Sequence, residues 1–191
     1  MLGTFYAYYT LYILKNKLKY HYAQFKTMPI LKKILLPAIV LAILVFLGFS
    51  LSSKTQAPNV TFTTITGQKI SMLDLKGKVV LINFWATDCP GCIKEMPDLI
   101  KTYNNYKTKG FEIISVAMPY DPPAQVLNYT KQKALPFPVM HDGFGEITKA
   151  FGGVNLTPTA FIFNKKGERI QRTIGEIDFV KLRQLLNKEL N

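Results

Sequence analysis

The chain reads as an α/β domain with a mixed sheet, set behind an apolar N-terminal segment, and three observations carry that reading. Val79 to Trp85 (VVLINFW) and Phe111 to Met118 (FEIISVAM) are near-continuous apolar runs, as expected of strands covered on both faces. Between them Ile93, Met96, Ile100 and Tyr103 recur at helical spacing, so strand, helix, strand makes a right-handed crossover and a parallel pair. Thr159 to Asn164 and Arg169 to Ile174, joined by the turn Lys165-Lys166-Gly167-Glu168, instead read as an antiparallel hairpin.

From the N-terminus, the first question is charge. A formal charge of +12 over 191 residues ordinarily suggests nucleic acid or an acidic membrane surface. Its distribution argues otherwise. Six lysines (Lys15, Lys17, Lys19, Lys26, Lys32, Lys33) and no acid lie in residues 1–33, and residues 34–53 carry no charge at all. The remaining six charges are spread over a segment that interleaves 18 bases with 12 acids, so they read as solvated surface and no nucleic acid is expected.

Residues 34–51 (ILLPAIVLAILVFLGFSL) have the length and composition of a transmembrane helix, with Pro37 in its first turn where a helix tolerates it. The lysines ahead of it place residues 1–33 in the cytoplasm by the positive-inside rule and the rest of the chain outside. An uncleaved anchor is the expected state. The alternative is a signal segment cut near Ser50-Leu51-Ser52, leaving a soluble periplasmic protein. The Tyr-rich and basic start suits an interfacial helix, or else translation begins at Met28. Residues 52–59 are a linker, and residues 60–191 the extracytoplasmic domain.

In that domain Val60 to Thr66 and Lys69 to Met72 read as short strands around Gly67. The helix after Trp85 stops at Gly110. Pro122 to Ala134 forms a helix with its prolines at the start, and Phe137 to His141 a strand. Phe144 to Phe151 is a helix ended by Gly152-Gly153, and Ile177 to Leu190 an amphipathic helix with Leu182, Leu185 and Leu186 on one face.

The chemistry sits at Cys89-Pro90-Gly91-Cys92, where the Val79–Trp85 strand turns into its helix. Two cysteines at this spacing on a first turn can close a small-ring disulfide. The free N–H groups and partial positive charge of a helix N-terminus stabilise a thiolate on the first of them. Cys89 is then the exposed nucleophile and Cys92 the more buried resolving thiol. Three other readings compete. A structural disulfide closing so short a loop constrains the unfolded chain little. A zinc site lacks further ligands, since His141 stands alone and His21 lies across the membrane. Haem attachment needs a His after the second Cys, where Ile93 stands.

The segment VVLINFWATDCPGCIKEMPDL, with Thr157-Pro158-Thr159 further on, resembles the thioredoxin superfamily. More narrowly, it resembles the membrane-anchored, extracytoplasmic TlpA/ResA-type thiol-disulfide oxidoreductases, which include the cytochrome-c-maturation thioredoxins. The similarity covers about residues 57–191. It implies a thioredoxin fold in which Pro122 to His141 is an extra helix-strand insertion. It also implies a redox-active Cys89–Cys92 pair and a cis-proline at Pro158 facing it. Thr157, Pro158, Trp85, Pro90 and Gly91 would bind substrate, with the Thr157 backbone free to pair with an extended segment. Glu95, one turn beyond Cys92, matches an acidic position of the subgroup that relays protons, though it could also be a solvated first-turn carboxylate. The resemblance calls for no cofactor and no metal. Its partners would be disulfide-containing exported proteins, apocytochrome c among them, and a membrane electron donor.

Two positions depart from thioredoxin. Asn83 replaces its buried strand Asp, as is usual in the anchored subgroup, so Cys92 must lose its proton to another base. Asp88 stands where the family normally has Trp, and an acid beside Cys89 disfavours its thiolate. That predicts a reducing couple, nearer about −270 mV than about −120 mV. The competing function from another class is a copper-binding module that uses the Cys89/Cys92 dithiol.

Overall fold

The computed structural model describes residues 12–13, 15–17, 19, 30–51 and 55–191. Most of the basic segment 1–33, with the alternative start at Met28, lies outside the described residues, as does the beginning of the 52–59 linker. The chain divides into two units, residues 1–53 and 54–191.

In the first unit, α1 spans Ile30–Leu51. It starts earlier than the uncharged run, so Pro37 lies inside the helix rather than in its first turn, and one intrahelical hydrogen bond is lost there. Its side chains are described over residues 34–48 and are all exposed. Among the described residues no helix is long and apolar enough to cross a membrane.

The second unit is a thioredoxin-like α/β fold. A mixed five-stranded sheet has the order β5-β4-β3-β6-β7, built from β3 (Val79–Trp85), β4 (Phe111–Ala117), β5 (Val139–His141), β6 (Thr159–Phe163) and β7 (Arg169–Ile174). Strands β3, β4 and β5 run parallel, with Val79 opposite Phe111 and Trp85 opposite Ala117. Strand β6 runs antiparallel to β3 and to β7. The helices are α2 (Pro90–Tyr106), α3 (Pro123–Gln132), α4 (Glu146–Ala150) and α5 (Phe179–Leu190), with a single 3-10 turn at Lys107–Lys109.

Alternation along β3 and β4 divides the core in two. Val79, Leu81, Trp85, Phe111 and Ile113 face Met96, Leu99 and Tyr103 of α2 and Leu182 and Leu186 of α5. Val80, Ile82, Phe84, Ile114 and Val116 face the other way, onto Phe62, Ile147 and Phe151. There the ring of Phe151 meets Phe84 and Phe161 edge-on, with centroids 5.3 Å apart in each pair.

Several expected boundaries shift for local reasons. The strand expected over residues 60–66 is reduced to β1 (Thr61–Thr63), which pairs with β2 (Lys69–Ser71) in a hairpin outside the main sheet. Strand β5 begins at Val139 rather than Phe137, because Pro138 has no N–H to give to a ladder. Helix α4 begins at Glu146, since Gly145 is left-handed (φ 70°) and the buried Asp142 carboxylate accepts from the N–H groups of Ile147 and Thr148. Helix α5 begins at Phe179 because Asp178 caps it, accepting from Val180 and Lys181.

Candidate active site

Strand β3 ends at Trp85 and the chain turns through Ala86–Asp88 into α2. The turn is tied down by Asp121, a buried residue following β4. Its Oδ2 accepts the Thr87 N–H at 2.7 Å and its Oδ1 the Thr87 hydroxyl at 2.6 Å. Nothing in the sequence singles out Asp121; only the adjacency of β3 and β4 brings it to Thr87.

Cys89 is the N-cap of α2, and Pro90 opens the helix. Cys89 and Cys92 are disulfide-bonded, with Cα atoms 5.3 Å apart. Cys89 is half-buried and Cys92 has no exposed surface. The N–H of Cys92 donates to the Cys89 sulfur at 3.2 Å. A backbone donor and the helix N-terminus thus both act on the sulfur that would carry negative charge.

Because β6 is antiparallel to β3, its first residues arrive at the end of the sheet where α2 begins. The Thr157–Pro158 peptide is cis, and the Pro158 Cδ lies 3.5 Å from where a Cβ would stand on Gly91. Thr157 is half-buried, and its side-chain oxygen is 3.3 Å from the Tyr120 hydroxyl. Its backbone groups have no partner among the described residues. Pro90 and Asp88 are exposed.

Trp85 requires a correction. Its side chain has no exposed surface and packs against Tyr129, with ring centroids 5.3 Å apart. It therefore supports the site from below and is not placed to touch a substrate. A residue at the end of a strand buried on both faces points into the core, however close it is in sequence to the cysteines.

Glu95 is buried, not a solvated first-turn carboxylate: it is 3% exposed. Its Oε2 accepts the Ile177 N–H at 3.1 Å, while its Oε1 has no partner among the described residues. Burial pushes its pKa up to about 7. The Ile177 hydrogen bond opposes that rise and the neighbouring Glu176 charge adds to it. Asn83 lies deep in the same layer, opposite Ser115 of β4, and both of its amide atoms and the Ser115 hydroxyl are likewise unpartnered among the described residues. Asn83 has no acidic proton to exchange, whereas the Glu95 carboxylate can take one. Among the described residues no cluster of three or more His, Cys, Asp or Glu could hold a metal ion.

The domain that carries this site is similar to known proteins. The Redoxin family pattern matches residues 52–185. The thiol-disulfide oxidoreductase ResA of Bacillus thuringiensis subsp. konkukian is 43% identical over 133 residues, which is 70% of this chain and 76% of that protein. The chain is a ResA-like member of the redoxin family. The ResA of Bacillus subtilis is 33% identical over 138 residues, covering 72% of this chain and 76% of its own. The crystal structure of a thiol:disulfide interchange protein of the thioredoxin family from Chlorobium tepidum superposes with a TM-score of 0.67. It is 28% identical and covers 73% of this chain and 99% of that one. This ResA-like chain is accordingly a thiol-disulfide oxidoreductase, and its Cys89–Cys92 disulfide is in place at the head of α2.

Proposed function

We propose that this ResA-like protein reduces disulfides in exported proteins, apocytochrome c before haem attachment among them, on the outer side of the cytoplasmic membrane. The observation that carries the chemistry is the Cys89–Cys92 pair at the start of α2 with a buried, half-satisfied carboxyl one turn behind it. In the reduced protein the Cys89 thiolate attacks one sulfur of a client disulfide. That S–S bond breaks, the departing client sulfur takes up a proton, and a mixed disulfide forms on Cys89. Glu95 then accepts the proton of Cys92, whose thiolate attacks the Cys89 sulfur. The client's second thiolate leaves and the Cys89–Cys92 disulfide closes. The client gains two electrons, which a membrane dithiol donor must later return to the protein.

Several features support the further parts of this reading. A group that titrates near 7 exchanges protons readily at neutral pH. The unpaired Thr157 backbone beside cis-Pro158, with Pro90 and Gly91 across from it, suits an extended client segment. The uncharged run 34–51 behind six lysines suits a single span with the N-terminus inside, uncleaved. Asp88, exposed beside Cys89, disfavours the thiolate and favours a reducing couple, although its exposure lets solvent and salt weaken the effect.

Replacing Cys92 with Ser leaves Cys89 able to attack but unable to be resolved. Client proteins then accumulate in cells as adducts of this chain that a reductant releases, and mass spectrometry names them. Absence of such adducts, together with no insulin reduction by the unsubstituted protein, would overturn the proposal.

A further inference from the structure

One three-residue segment between β7 and α5 meets the site at three points. The N–H of Gly175 donates to the Pro158 carbonyl at 2.8 Å. The Glu176 side chain covers Gly91, with its Cγ 3.5 Å and its Oε1 3.6 Å from where a Cβ there would stand. The N–H of Ile177 donates to Glu95 at 3.1 Å. Lys94, next to Glu95 on α2, reaches across and donates to Glu176 Oε2 at 2.8 Å. A negative charge thus sits at the mouth of the site, with a positive charge from the catalytic helix against it.

The helix that bears Glu95 also carries Cys89, Cys92, Lys94 and the exposed Asp98, and the connection to α5 carries Glu176 and the exposed Asp178, whose carboxylate is taken up in capping α5. The facing sheet offers Asn83, Trp85 and Ser115, and α5 offers Leu182 and Leu186; none of these five is charged. We infer that Glu176 is a positioning residue for the exchange reaction: acting through Glu95 and balanced by Lys94, its charge selects the pH at which Glu95 takes the Cys92 proton. The inference rests on the reading of Glu95 as the acceptor of that proton. Burial is the main cause of the raised Glu95 pKa, and the Glu176 charge adds to it by disfavouring a second negative charge nearby. Lys94, paired with Glu176 at 2.8 Å, carries the opposite charge and so acts against that repulsion.

The geometry allows a sharp test, because the pair could instead be a mechanical latch. A latch broken from either side frees the 175–177 segment and weakens the Ile177 hydrogen bond, so both single variants would move Glu95 upward. A charge effect moves them in opposite directions. The experiment uses the full chain in detergent and follows single-turnover reduction of insulin from pH 5 to 9. The inflection lost in Glu95→Gln identifies Glu95. Glu176→Gln should lower that inflection and Lys94→Gln raise it, each by about 0.3 to 0.7 pH units, as suits a largely exposed pair. The double variant should fall between them, Glu176→Asp should keep the original value, and about 1 M salt should shrink every shift. Shifts in the same direction, or no shift in either variant while Glu95→Gln still removes the inflection, would overturn the role of Glu176. An inflection that survives Glu95→Gln would overturn the reading of Glu95 and this inference with it.

Discussion

Glu95 makes the protein's stability depend on pH in an unusual direction. An ordinary carboxyl titrates near 4.5, whereas in the fold this one holds its proton to about 7. Between those values the folded state binds a proton that the unfolded chain has released. Stability therefore falls as pH rises through the window and levels off above about 7, by then lower by about 3 kcal/mol. Glu95→Gln stays neutral at every pH, so its advantage over the native residue should be small at pH 4 and large at pH 8. Urea unfolding of the oxidised protein at both values measures this; an equal difference at the two would contradict it. The same residue shows how far sequence reasoning reaches. That an acid stands one turn past Cys92 is legible in the motif, but its burial, its Ile177 partner and its open Oε1 are not. Ile177 lies 82 residues away and no local pattern links them.

At the scale of single elements, the head of α2 sorts the two thiols by position. Cys89 is the N-cap, partly exposed and served by the Cys92 N–H, while Cys92 faces the core among Met96, Leu99 and Trp85. In the reduced protein at pH 7, iodoacetamide should alkylate Cys89 many times faster than Cys92, as peptide mapping would read out. Equal labelling of the two would refute the assignment of nucleophile and resolving thiol. Element boundaries were legible where apolar runs met clear punctuation: β3 and β7 coincide with the expected Val79–Trp85 and Arg169–Ile174. They shifted where backbone chemistry overrode the pattern. Pro138 shortens β5, and left-handed Gly145 with the Asp142 carboxylate delays α4. Those caps depend on side chains folding back onto amides, which hydrophobic spacing does not record.

For the whole molecule, strand order is what assembles the site. Strand β6 lies beside β3 and antiparallel to it, so the Thr157–Pro158 peptide arrives next to the turn where β3 becomes α2. The β7–α5 connection then closes over Gly91 and Glu95. The proposed membrane topology belongs to this scale as well. An alkaline phosphatase fused after Asn191 should be active, since that enzyme needs an oxidising compartment to form its disulfides. An inactive fusion that is produced in full would place the domain in the cytoplasm.

The amino-acid order settles the chemistry, the family and the alternation of elements. A redox pair at a strand-to-helix turn is a contiguous motif, and hydrophobic period follows from local geometry. It also leaves marks that mislead. Trp85, three residues before the turn's end, looks like a client contact until the sheet shows it buried against Tyr129. What folding added is the electrical setting of the cysteines: Asp121 on Thr87, Ile177 on Glu95, and Lys94 with Glu176 over Gly91. Each joins residues from separate elements, 34 or 82 positions apart, and such contacts exist only once strand order and helix packing have brought those elements together.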